Sequence, residues 1–250
     1  MAVTDAPQKP ARQYAPFQFE ATDEMPDDYR RMVLRLLRET NEIGSVEVCY
    51  SQMRMMTTNV RFAPDPISRV RFAEFCADEM RHQKIFDGIV RAMGEEPGED
   101  FVSSIDGLNA TTDVQDWLDV ALLNTFIDRV GGFQLFDYAE SSFAPLARAG
   151  LMVAKDEMGH CAMGFQHLRE HLDRPGGRAE VEERLPRWYG YALDMFGTST
   201  GTRQWKYIEM GLKTKSNEEL RQEYLEHIEP YFEAMKIDMP APDEVPRKYM

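Results

Sequence analysis

Cysteine is scarce in this chain of 250 residues, which contains only Cys49, Cys76 and Cys161. No two of them form a Cys-x-x-Cys pair, so the sequence predicts no disulfide framework, structural zinc site or iron–sulfur cluster. Free thiols fit the reducing cytoplasm best. Without an iron–sulfur cluster of its own, the protein would take electrons for any redox chemistry from another protein.

Positive charge is also in the minority, because 29 lysine and arginine residues face 43 acidic residues and leave a net charge of −14. Nucleic acid and anionic membrane surfaces repel such a chain, so we expect neither as a partner. No apolar run is long enough to span a bilayer, and the first residues lack the apolar core of a secretion signal. These features favour a cytoplasmic protein.

Strand-like alternation of apolar and polar residues is absent, which predicts an all-α fold. We divide the chain into an extended arm (1–24), a helical domain (25–237) and a Pro-rich tail (238–250). Start and stop signals predict helices over residues 26–57, 65–93, 112–139, 145–172, 179–196, 202–213 and 216–235. Two of the starts are capping boxes: Thr112 with Gln115, and Ser216 with Glu219.

An Asp-Glu-Met-x-His motif occurs twice, in the second and the fourth predicted helix. Residues i and i+3 share a helical face, so Glu79 pairs with His82 and Glu157 pairs with His160. Two such pairs, completed by one carboxylate from each of two further helices, form the ligand set of a carboxylate-bridged dimetal site in a four-helix bundle. In such a site the two glutamates bridge the metals, and each histidine binds one metal.

The carboxylate expected from the third helix is Asp128, which lies in the otherwise apolar stretch ALLNTFIDRVGGFQLF. Burying a carboxylate there is costly without a partner, and a metal ion is such a partner. Gly131 and Gly132 follow at i+3 and i+4 and remove side chains from the same face. We hypothesise that they leave room for oxygen or substrate beside the metals.

The carboxylate expected from the first helix has three candidates, Glu39, Glu42 and Glu47. We take Glu47, which lies deeper in the helix and in a more apolar context, with Glu42 as the alternative. Oxygen and imidazole ligands suit iron or manganese, and the sequence does not choose between them. The predicted metal ligands are therefore Glu47, Glu79, His82, Asp128, Glu157 and His160.

Other polar residues have simpler interpretations. Asp78 and Asp156 either orient the histidines or are exposed neighbours of the ligands, and both interpretations stay open. The remaining histidines are interpreted as surface residues: His167, His171 and His227. The tryptophans are interpreted as packing residues: Trp117, Trp188 and Trp205.

With these motifs, the chain resembles the phenylacetate-catabolism family of ferritin-like di-iron oxygenases, to which the benzoyl-CoA epoxidase is related. The resemblance includes the segments 25–31, 142–149 and 155–160, and the spacing of 29 residues between Asp128 and Glu157. It implies a ferritin-like four-helix bundle with additional C-terminal helices. It also implies a set of iron ligands: Glu79, His82, Asp128, Glu157, His160 and, on or near Glu47, a glutamate of the first helix.

The resemblance further implies a di-iron monooxygenase with dioxygen as co-substrate and with Glu79 and Glu157 as catalytic residues. One oxygen atom would enter an aromatic or unsaturated substrate, most simply as an epoxide, and the other would leave as water. The implied substrate is an aryl-CoA thioester such as phenylacetyl-CoA. The implied partners are a flavin and iron–sulfur reductase and a structural sister subunit, and a homo-oligomer is a further option.

Other functions fit the same ligands. Residues 95–115 match the family poorly, which favours a di-iron oxygenase or hydroxylase of another small molecule. Ferritin-like proteins also store metal or act as structural partners, but storage needs a self-assembling shell and this chain is longer than such subunits. A manganese pair that acts on peroxide is a further alternative.

Overall fold

The computed structural model describes residues 9–39, 59–97 and 114–247, and within these ranges the protein is all-α, as predicted. Its helices are α1 (Asp27–Glu39), α2 (Pro66–Ala92), α3 (Trp117–Asp137), α4 (Ala144–Leu172), α5 (Gly177–Met195), α6 (Thr202–Glu209) and α7 (Asn217–Met235). The same ranges contain no β-strand, only an isolated bridge between Phe19 and Phe143. None of these helices is both long enough and apolar enough to cross a membrane.

Side-chain caps explain why two helices begin where the sequence predicts. At α2, the Asp65 carboxylate accepts hydrogen bonds from the backbone N–H groups of Ile67 and Ser68, at 2.8 and 3.0 Å. At α7, Ser216 and Glu219 form the predicted capping box. These starts are set by local sequence alone, so the sequence could predict them.

The predicted start of the third helix is wrong. Gln115 precedes the helix, which begins at Trp117 with Asp116 as its N-cap, and Thr112 lies outside the described residues. The Asp116 carboxylate accepts hydrogen bonds from two N–H groups of the first turn and from Arg184 of α5, the latter at 2.7 Å. A tertiary ion pair therefore strengthens this cap, and a local capping-box pattern does not include it.

Helices α3 and α4 run antiparallel and approach closely at two glycines of α4. A Cβ at Gly150 would lie 2.7 Å from the carbonyl oxygen of Leu135, and one at Gly164 would lie 2.6 Å from the Cβ of Asn124. Side chains do not normally approach so closely, so this helix separation requires glycine at both positions. Glu157 lies two turns from each glycine and is therefore held close to α3.

Apolar clusters cover this helix pair. The largest joins α3 and α4 to α5 and α7 around Trp188 and Tyr224. A second joins α1, α2, α4 and α6 and includes Phe86. A third, smaller cluster lies between α2 and α3 and contains Phe72 and Trp117. These clusters pack α2, α3 and α4 against one another and against the remaining helices.

The described parts of the arm and the tail pack against the helices. The N–H of Phe19 donates to the carbonyl oxygen of Ser142, and the N–H of Ala144 donates to the carbonyl oxygen of Phe19, both at 2.9 Å. In the tail, the carbonyl oxygen of Pro246 lies so close to Gly190 of α5 that no Cβ would fit there. Both segments therefore pack against helices of the bundle.

Replacing Gly164 by alanine is expected to destabilise the protein by about 1–3 kcal/mol, because the new methyl group would push α4 away from α3. Gly88 of α2 is the matched control, since a Cβ there would have no atom within 4 Å. Alanine at that helical position should stabilise the protein by up to about 1 kcal/mol. Urea unfolding measures both changes, and wild-type stability of Gly164→Ala would contradict the close approach.

Candidate metal centre

Five of the six predicted metal ligands come together between three helices: Glu79 and His82 on α2, Asp128 on α3, and Glu157 and His160 on α4. Glu47 and its alternative Glu42 lie outside the described residues. The i and i+3 spacing of each Glu-x-x-His pair places both of its side chains on the inner face of its helix. The structure thus joins residues that are far apart in the sequence.

The ligand atoms form two groups, each with its members within 4.8 Å of one another. One group is Glu79, His82 and Glu157, and the other is Asp128, Glu157 and His160. Glu157 belongs to both groups. Its Oε1 lies 3.4 Å from His82 Nδ1, and its Oε2 lies 3.6 Å from His160 Nδ1. A carboxylate placed in this way can bridge two metal ions a few ångströms apart.

Several of these ligand atoms are buried without a hydrogen-bond partner among the described residues: Glu79 Oε1, Asp128 Oδ2 and His160 Nδ1. A buried polar atom left unsatisfied costs about 1–3 kcal/mol, and more when it is charged. Cations placed between these atoms would satisfy all of them. The mixture of carboxylate oxygen and imidazole nitrogen suits iron, manganese or zinc, so the residues fit a pair of divalent metal ions.

The pKa values of the cluster show the electrostatic cost of burying acids together. Burial raises the pKa of Asp128 well above its usual range, and the charge of Glu157 adds to the shift. Burial and Glu157 also raise the pKa of Glu79. Burial acts in the same direction on Glu157, but His160 and His82 outweigh it and lower that pKa. Without metal, the cluster therefore retains protons that metal binding would displace.

Each histidine turns its second ring nitrogen toward the aspartate of the other motif. His82 Nε2 lies 3.2 Å from Asp156 Oδ2, and His160 Nε2 lies 3.5 Å from Asp78 Oδ2. Arg81 joins the two aspartates, with Nη2 at 2.6 Å from Asp78 and 3.2 Å from Asp156. Of the two interpretations of the aspartates, the contacts favour orientation of the histidines, with Nδ1 directed at the carboxylates.

Two neighbours of the ligands are not predicted from the sequence. Arg81 is the variable residue of the motif, and Gly159 occupies the same place in the second copy. Arg81 lies three residues after Asp78, and this spacing predicts their contact on one helical face. The contact of Arg81 with Asp156 of α4 depends on how the helices pack. Phe75 packs against the His160 ring at a centroid distance of 4.5 Å, edge to face, and no sequence signal marks it.

Gly131 and Gly132 lie beside the shared carboxylate. A Cβ at Gly131 would lie 3.8 Å from Glu157 Oε2, and one at Gly132 would lie 3.4 Å from the Sδ of Met158. These are contact distances, so only a very small side chain would fit without displacing its neighbours. That the space next to Glu157 serves oxygen or substrate stays a hypothesis.

The interpretation of His167 as a surface residue is wrong. His167 is buried because it lies two turns after His160 on the same face of α4. His171 and His227 are half-buried. The Nε2 of His227 lies 2.9 Å from Nη1 of the buried Arg129, a contact between α7 and α3 that no local pattern reveals.

Comparison with known proteins shows the family of this chain. The family model described as phenylacetic acid catabolic protein matches residues 103–248, a range that contains Asp128, Glu157 and His160. The chain is also 24% identical over 246 residues to one subunit of the 1,2-phenylacetyl-CoA epoxidase of Escherichia coli (strain K12). That match covers 90% of this chain and 74% of the Escherichia coli protein.

The stability of the metal-free protein is expected to fall as the pH rises. Burial would lower the pKa of His160, but Glu157 and Glu79 raise it from 6.5 to about 11. Between these values the folded state holds a proton that the unfolded state has lost. Stability therefore falls through this window, by up to about 1.4 kcal/mol per pH unit. Urea unfolding at pH values of about 7 and about 9 measures the slope.

His160→Gln should flatten this slope, whereas His171→Gln on the same helix should leave it unchanged. A slope that survives in His160→Gln would contradict the assignment of the effect to this imidazole.

Replacing Gly132 by leucine should displace Glu157 and weaken metal affinity by about 10-fold or more, because the larger side chain cannot fit beside Met158. Elemental analysis after dialysis measures bound metal, and circular dichroism checks that the variant is folded. Gly88→Leu controls for the cost of leucine at a helical glycine. Unchanged metal content and turnover in Gly132→Leu would contradict the hypothesis that Gly131 and Gly132 keep the space beside Glu157 free of side chains.

Proposed function

We propose that this chain, which belongs to the phenylacetic acid catabolic protein family, is an oxygenase that acts through a pair of metal ions. One atom of dioxygen would enter an aromatic or unsaturated substrate as an epoxide, and the other would leave as water. The observation that supports this most strongly is the position of Glu157, which belongs to both groups of potential metal ligands.

The proposed ligands divide between two metal positions: Glu79 and His82 at the first, Asp128 and His160 at the second, and Glu157 at both. Glu47 or Glu42 would complete the set. Glu79 Oε1 lies 3.8 Å from His82 Nδ1 and 3.3 Å from His160 Nδ1, which supports a second bridging role. Two iron ions bound there would supply the reduction of dioxygen.

Aromatic side chains next to the ligands would exclude water from the reaction. Phe75 contacts His160, Phe72 stacks on Phe75 at 5.2 Å, and Trp117 meets Phe72 at 5.5 Å, all between ring centroids. A dry environment strengthens electrostatic interactions and protects reactive oxygen from side reactions. The same row of rings is chemically suited to packing against an aromatic substrate.

The substrate class and the partners are proposed from the Escherichia coli relative. Its name specifies phenylacetyl-CoA epoxidation, so we propose an aryl-CoA thioester such as phenylacetyl-CoA as the substrate here. That name also designates one component of a larger enzyme, which supports a complex with further proteins for this chain as well. An external reductase would supply electrons, since the three cysteines of the chain include no Cys-x-x-Cys pair.

Oxygen labelling tests the function. The metal-free protein is loaded with ferrous iron under anaerobic conditions, reduced by a reductase and exposed to labelled dioxygen with a series of aryl-CoA thioesters. The expected result is one labelled atom in the product and one in water. Labelling of another small molecule instead would favour the alternative oxygenase, and no incorporation into any aryl or acyl thioester would contradict the epoxidase.

Metal stoichiometry tests the ligand assignment separately. Wild type should bind about two metal ions per chain, Asp128→Asn about one, and Glu157→Gln almost none, because Asp128 belongs to one group of potential ligands and Glu157 belongs to both. Elemental analysis measures the ratios. His171→Gln, whose imidazole instead pairs with Glu180, should bind as wild type does. Equal losses in Asp128→Asn and Glu157→Gln would contradict the shared carboxylate.

A further inference from the structure

His167 is a buried imidazole beyond the metal ligands. It lies two turns after His160 on α4, about 10 Å further along the helix axis. Its Nδ1 lies 3.1 Å from Glu170 Oε2. The Glu170 side chain is 50% exposed, and its other oxygen accepts a hydrogen bond from Gln166 Nε2. A surface carboxylate is thus fixed beside a buried imidazole.

The second nitrogen of His167 is enclosed by the bundle. Its Nε2 is buried and has no hydrogen-bond partner among the described residues, and the same holds for Nε1 of Trp117. The two rings pack edge to face, with centroids 5.0 Å apart. The indole can only donate, and Nε2 accepts whenever Nδ1 donates to Glu170. One water molecule could therefore bind both atoms.

Asn124 continues this line of polar atoms toward the metal ligands. It is 1% exposed, and neither of its amide atoms has a hydrogen-bond partner in the described part of the chain. Asn124 lies one turn before Asp128 on α3 and opposite Gly164 of α4. It therefore occupies the level between His167 and the metal ligands.

Buried polar atoms in native proteins are almost always hydrogen-bonded, either to protein or to ordered water. Here they occur on successive levels from Trp117 and His167 to Asn124, beside the apolar cluster that contains Phe72 and Phe75. Packing alone would be served by apolar side chains at these positions. A narrow, hydrated path between the Glu170 surface and the predicted ligands would satisfy these atoms.

We propose that Glu170, His167 and Asn124 form the route by which protons enter the dimetal site. This inference rests on the proposed function. In that reaction the substrate, dioxygen, two electrons and two protons give the epoxide and one water. The oxygen–oxygen bond and one carbon–carbon π bond of the substrate break, two carbon–oxygen bonds and the two oxygen–hydrogen bonds of water form, and the reductase supplies both electrons. Glu157 and His160 are buried, with 7% of each side chain exposed, so protons that reach them must pass through protein.

His167 is suited to the central step because an imidazole can accept a proton on one nitrogen and release one from the other. The hydrogen bond from Gln166 lowers the pKa of Glu170, which keeps a negative charge at the entrance that attracts protons. Water held by Trp117 and Asn124 would carry the proton over the remaining distance.

Deuterium exchange of indole N–H groups tests for solvent in this route without any metal. Trp188 is the matched control, because it is fully buried and its Nε1 donates to Asp119 Oδ1 at 3.0 Å. In the metal-free protein, the Trp117 indole should exchange at least about 10-fold faster than that of Trp188. His167→Phe should slow this exchange. Equal protection of the two indoles in wild type would overturn the hydrated route.

Single-turnover kinetics test the role of His167. His167→Gln should slow product formation by about 100-fold and enlarge the solvent isotope effect, with metal content unchanged. Added imidazole should restore the rate of His167→Ala. His171→Gln is the control. His171 lies on the same helix as His167 but off the route, and its Nε2 pairs with Glu180 of α5 at 2.9 Å. A wild-type rate and isotope effect in His167→Gln would overturn the route.

The two experiments separate this route from the proposed function. If wild type forms no oxygenated product, the oxygenase function fails, and indole exchange still tests the route. If product forms and the His167 variants match wild type, only the proton route fails.

Discussion

The structure depends on one electrostatic constraint: carboxylates from three helices are buried against one another. Burial and the charge of Glu157 raise the pKa values of Asp128 and Glu79, whereas His160 and His82 lower the pKa of Glu157. An arrangement of this kind is stable only when positive charge is added, as protons or as metal ions. Two divalent cations would neutralise the carboxylates and satisfy the unpaired polar atoms together, and this would couple the fold to the chemistry.

Helix packing turns this cluster into a defined site. Gly150 and Gly164 allow α4 to approach α3 on either side of Glu157, and this fixes the shared carboxylate opposite Asp128. Arg81 and the crossed aspartates fix α2 relative to α4 in a similar way. The positions of the predicted ligands are thus set by contacts within two turns of these residues, on helices rather than on loops.

The sequence predicts that these side chains come together, because helical periodicity is local: positions i and i+3 share a face whatever the helix packs against. That they bind metal stays a prediction. Asp128 is predictable because a lone acid in an apolar helix needs a partner. The register between helices is not local. For this reason the sequence misses the two-sided contact of Arg81, the burial of His167, and the start of α3, where Asp116 pairs with the distant Arg184. The first-helix ligand stays a prediction.

Glu157 is proposed to lie between two metal ions. Anomalous diffraction at the iron absorption edge, on crystals of the iron-loaded protein, tests this position most directly. Two anomalous peaks are expected about 3.5–4 Å apart, one on each side of the Glu157 carboxylate. A single peak, or peaks that do not contact Glu157, would contradict it.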